Sequence, residues 1–85
     1  MIFYTSHPAA RSRTETVVID ALAEVIEILT VLSRPYYENG MSPAVAVAYG
    51  AQDYRRRIAP YAVKDDDVLL RLQIVNVIAP KVPVA

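Results

Sequence analysis

The sequence predicts an α+β fold, with two packed helices at about 13–33 and 43–59 and a C-terminal strand at about 68–78. Three observations carry this reading. Ser12-Arg13-Thr14-Glu15 has the Ser-x-x-Glu form of a capping box, which starts a helix. Ser42-Pro43 places an N-cap residue before a proline at the first helical position. Leu70, Leu72 and Ile74 alternate with Arg71 and Gln73, which is the period of a strand.

The elements follow in order. Ile2, Phe3 and Tyr4 are strand formers, so Met1–Thr5 reads as a short N-terminal strand, ended by Ser6-His7-Pro8. The first helix sets Thr16, Asp20, Glu24 and Glu27 on one polar stripe, read as solvated. Val18, Ile19, Leu22, Val25, Ile26, Leu29 and Leu32 lie opposite. A helix apolar over so wide an arc belongs to a core or an interface. Arg34-Pro35 is read as its end, because proline disfavours helical geometry in the residue before it.

Pro35–Met41 reads as a loop with a turn at Asn39-Gly40. In the second helix Ala44, Ala48 and Ala51 permit close approach to the first, and Pro60 is read as the stop. Lys64-Asp65-Asp66-Asp67 is a polar connection before the expected strand. Beyond it, Pro80 and Pro83 hold an apolar tail extended, which suggests an arm at 79–85 seated on another chain through side chains such as Val82 and Val84.

Composition bounds the function. The chain has 85 residues, the size of one small domain, so 1–85 is read as a single unit with its arm. The hydrophobic share is 54%, more than a core this small needs, and the excess is available to a partner. No cysteine is present, so disulfide, zinc–thiolate and thiol chemistry are excluded. Nine basic residues balance nine acidic ones, which argues against a dedicated nucleic-acid binder. Asp20, Glu24 and Glu27 interrupt the longest apolar helix, so no membrane span is expected. Met1–Tyr4 is too short for the apolar region of a secretory signal, so secretion by that route is not expected.

Few residues suggest chemistry. The stripe of Asp20, Glu24 and Glu27 has no histidine in register and reads as a solvated face, not a metal site. His7 is the single histidine and, beside Pro8, reads as a surface turn residue. Gly40 and Gly50 are too few for a phosphate-cradling loop, and no cofactor is predicted. Tyr54-Arg55-Arg56-Arg57 is the most suggestive cluster: arginine grips oxyanions in a fork and tyrosine stacks on bases. Successive helical positions spread over about 200°, however, so the cluster fits protein salt bridges or a solvated helix end better than one nucleic-acid groove. Tyr36-Tyr37 combine apolar area with polar tips, which suits either loop anchoring or an interface.

The expected role is a non-catalytic structural subunit that oligomerises with itself or with other protein chains. By analogy the assembly is a virus particle, such as a phage head or tail, and the setting the virion or the cytoplasm. Two alternatives stand beside it. One is a small nucleic-acid-binding regulator using Arg55–Arg57, and the other is an accessory subunit of a membrane-attached complex.

Overall fold

The computed structural model describes residues 12–83, and over these the chain is helical with no strand. Helix α1 spans Arg13–Glu38, α2 spans Pro43–Ala62 and α3 spans Asp66–Ile78. The architecture is therefore three packed helices, which corrects the α+β expectation. The N-terminal strand proposed for Met1–Thr5 lies outside the described residues.

The predicted starts hold. Ser12 accepts a hydrogen bond from the Glu15 backbone N–H at 3.0 Å, and the Glu15 carboxylate accepts one from the Ser12 N–H at 3.2 Å, completing the capping box. Ser42 is the N-cap of α2 with Pro43 at its first turn, though its side chain makes no capping bond.

The predicted stops do not hold. Pro35 lies inside α1 and Pro60 inside α2. Each sits near a C-terminal end, where losing one backbone donor costs one bond and not a whole ladder. The last turn of α1 is also tied down from outside. The Tyr36 hydroxyl donates to Asp53 Oδ2 on α2 at 2.7 Å, and its ring stacks on Tyr49 with centroids 5.3 Å apart. Gly40 then turns the chain with φ +91, as the Asn39-Gly40 signal indicated.

The segment 68–78, read as a strand, is the helix α3. Its N-cap is Asp65, whose carboxylate accepts hydrogen bonds from the N–H groups of Asp67 and Val68. Asp66 and Asp67 add negative charge where the helix dipole is positive. Period-2 alternation over five residues is outweighed by this start signal and by packing. Arg71, placed on a polar strand face by the alternation, instead reaches across to Glu24 of α1, with Nε donating to Oε2 at 2.6 Å.

The core is small. Val25 and Leu29 of α1, Ala51 and Tyr54 of α2 and Val75 of α3 form its buried centre, with Ile28, Leu32, Ile58 and Ile74 packed around them. Each large aliphatic side chain buried here contributes about 1.5–3 kcal/mol. Ala21 and Ser33 complete the buried line of α1. Of the apolar face expected there, Leu22 and Leu32 are half-buried, whereas Val18, Ile19 and Ile26 are exposed. The reason is geometric: α1 is about 39 Å long at 1.5 Å per residue, α3 about 20 Å, so α3 covers only part of it.

Candidate functional site

Several of the exposed apolar residues lie together, though Val17, Val31, Tyr61, Val63 and Leu69 are exposed elsewhere. Along α1, the exposed Ile19, Ile26 and Tyr37 lie on one side of the helix with the half-buried Leu22 and the buried Leu29 and Ser33, at three- or four-residue intervals. Ile78, the last residue of α3, comes to rest against the middle of this line. Two apolar hollows meet there. The first, of about 230 Å³, is lined by Ile26, Leu29, Thr30, Ser33, Tyr37 and Ile78, with Val47 of α2. The second, of about 240 Å³, is lined by Val18, Leu22, Gln73, Ile74, Val77 and Ile78.

The hydroxyls in the first hollow do not make it polar. Thr30 donates to the Ile26 carbonyl at 2.8 Å, and Ser33 donates to the Leu29 carbonyl. Both protons are spent within α1, and hydrocarbon dominates what remains. On the rim, Ile26 is 51% exposed and Val77 83% exposed. An apolar patch of this continuity marks a contact surface more often than an isolated exposed side chain does.

The six tyrosine and arginine residues singled out in the sequence do not assemble into one site. Tyr54 is buried in the core, and burial, followed by the nearby Glu24 carboxylate, raises its phenol above the usual tyrosine value. Its ring is packed between α1 and α3 and presents no face for stacking on a base. Arg56 lies 3.8 Å from Asp53, one turn earlier, and Arg57 is exposed. Of the three arginines, Arg55 lines a polar cleft of about 380 Å³ with Gln52, Asn76, Ala79, Lys81 and Val82. Tyr36 is held by Asp53, and that hydrogen bond is the main cause of its raised phenol pKa. Tyr37, its neighbour, turns the other way into the first apolar hollow. Val82 is half-buried in the polar cleft, and Val84 lies outside the described residues.

The carboxylate stripe is also redistributed. Glu24, still exposed on that face, pairs with Arg71, and this hydrogen bond lowers its carboxyl below the usual glutamate value. Arg71 completes the clamp with Nη2 to Glu24 Oε1 at 3.3 Å and Nη1 to the Asp67 carbonyl at 2.9 Å. Among the described residues no group of three or more His, Asp or Glu side chains is placed to hold a metal ion. Nor is any described helix long and apolar enough to cross a membrane.

The apolar line on α1 was legible as hydrophobicity but not as an open surface. Read on its own, the helix assigns Ile26 and Val25 to the same face. Only the crossing positions of α2 and α3 decide which of them is covered. Comparison with models of protein families, with curated proteins and with solved structures yields no match.

Proposed function

We propose that the protein is a non-catalytic subunit that packs against other protein chains through the apolar surface centred on Ile78. The observation that supports this most is the meeting of two hydrocarbon-lined hollows at that residue, along the edge where α1 meets the C-terminal half of α3. Burying such a surface on a partner contributes about 25 cal/mol per Å² of apolar area. Composition supports the same reading, since the hydrophobic share exceeds what so small a core hides. The phage-particle setting rests on size, charge balance and analogy, and the fold adds no argument for or against it.

The test is association. Ile26→Glu and Val77→Glu place charges on exposed apolar positions of the two hollows. Each variant should keep the melting curve of the parent within about 0.5 kcal/mol, because neither side chain is in the core. Each should lose higher-order association in sedimentation velocity runs. Unchanged association in both variants would remove the surface from the account.

A further inference from the structure

We infer that the cleft between α2 and the end of α3 is a binding site for a phosphoryl group carried on a small organic molecule. Two cationic side chains, Arg55 and Lys81, line it together with two amides, Gln52 and Asn76, and no carboxylate is among its walls. All four polar residues can donate hydrogen bonds, and the two cations supply positive charge. Arg55 is half-buried, and among the described residues its guanidinium makes no hydrogen bond or ion pair. A fork of five donors held at a cavity wall without a protein acceptor suits an oxyanion, which it can engage bidentately. Lys81 adds a mobile point charge, and two cations match the near-dianionic state of a phosphomonoester better than a single carboxylate.

The remaining walls are Ala79 and Val82. They give the cleft an apolar side, which favours a phosphate bearing a short carbon skeleton over the bare ion. The cleft is also larger than either apolar hollow, at about 380 Å³ against about 230 and 240 Å³. It shares no lining residue with those hollows, so this inference stands or falls separately from the proposed interaction surface. The chain's three consecutive arginines thereby acquire different roles, with Arg56 beside Asp53, Arg57 in solvent and Arg55 at the cleft.

A competing role for the two cations is local. The C-terminal end of α3 is the negative pole of its dipole, and Arg55 and Lys81 would serve it without any ligand. The experiment separates the two. The intact protein, labelled with ¹⁵N, is titrated with inorganic phosphate and with glycerol 3-phosphate at low ionic strength. Saturable shifts are expected at the side-chain amides of Gln52 and Asn76, at lower concentrations for glycerol 3-phosphate. Arg55→Gln and Lys81→Gln should each weaken binding about tenfold or more, while Arg57→Gln should leave it unchanged. Lys81 is exposed, so its variant keeps the fold and the test stays decisive. Three outcomes overturn the inference: shifts that never saturate, equal weakening by Arg57→Gln, or lowered stability in Arg55→Gln with unaltered phosphate binding. Tighter binding of a single-stranded oligonucleotide that depends on Arg56 and Arg57 would overturn it too, in favour of a nucleic-acid surface.

Discussion

Gly50 of α2 faces Ser33 of α1 so closely that a Cβ at position 50 would stand 2.7 Å from the Ser33 hydroxyl oxygen and 3.0 Å from its backbone nitrogen. Ser33 is fully buried, and its proton is committed to the Leu29 carbonyl. The two helices meet here backbone to backbone, with Ala46, Ala48 and Ala51 buried along the same helix. Val47 and Tyr37, about one turn from the crossing on α2 and α1, both wall the first apolar hollow.

Gly50→Ala should therefore destabilise the fold by about 1–3 kcal/mol, because backbone atoms cannot yield as a flexible side chain would. The sign is diagnostic, since alanine ordinarily favours a helix over glycine by about 1 kcal/mol. Chemical denaturation of the variant measures it. A gain in stability would mean that the helices cross less closely than described.

The Glu24–Arg71 clamp joins α1 to α3 and makes stability depend on pH. The Glu24 carboxyl titrates lower in the folded protein than its ordinary value of 4.5, because Arg71 donates to it. Its contribution is thus present above about pH 4.5 and is lost as pH falls through the lowered folded value. Glu24→Gln should cost about 0.5–1 kcal/mol at neutral pH, since the carboxylate is 48% exposed and solvent screens the pair. The difference between parent and variant should shrink in acid, as read from urea midpoints at pH 7 and pH 3. A difference that does not shrink between the two would assign the loss to something other than this ion pair.

Asp65→Ala tests the helix that the sequence disguised. The Asp65 carboxylate caps α3 through the N–H groups of Asp67 and Val68. Its loss should lower stability by about 0.5–2 kcal/mol. Backbone chemical shifts over 66–78 should remain helical in both proteins. Extended-chain shifts in that segment would restore the strand reading.

How much of this was legible in the sequence varies by element. Helix starts were legible, because Ser12-x-x-Glu15 and Ser42-Pro43 act through local hydrogen bonds and a fixed φ. Helix ends were not, because Pro35 and Pro60 are tolerated in final turns, and the first of these turns is held by the contact from Tyr36 to Asp53. The strand reading of 68–78 failed because Leu70, Leu72 and Ile74 alternate by chance over a stretch too short to distinguish a strand from a helix. The Asp65-Asp66-Asp67 start signal was present but was read only as a polar linker. The arginine run was visible, and its spread around the helix was foreseen. Arg56 beside Asp53 is an i,i+3 pair within α2, whereas the placement of Arg55 at the cleft depends on where α3 and residues 79–83 lie, which no local pattern encodes.

Val25→Asp and Ile26→Asp form a matched pair on adjacent positions. Val25 is fully buried and Ile26 is 51% exposed. A charge at 25 should cost several kcal/mol, about 3 or more, unless the carboxyl stays protonated. A charge at 26 should cost about 0.5 kcal/mol or less. Thermal melts of the two variants should differ widely, and equal melts would place the buried seam of α1 elsewhere.

The claim that this protein works as part of an assembly is tested most directly by its native mass. Isolated from its source cells under non-denaturing conditions, the chain of 9.4 kDa should be found in a heavier complex. That complex should release the chain as a free monomer when Ile26 and Val77 are both changed to glutamate. A discrete 9.4 kDa particle from the unaltered protein, at every concentration measured, would contradict the account.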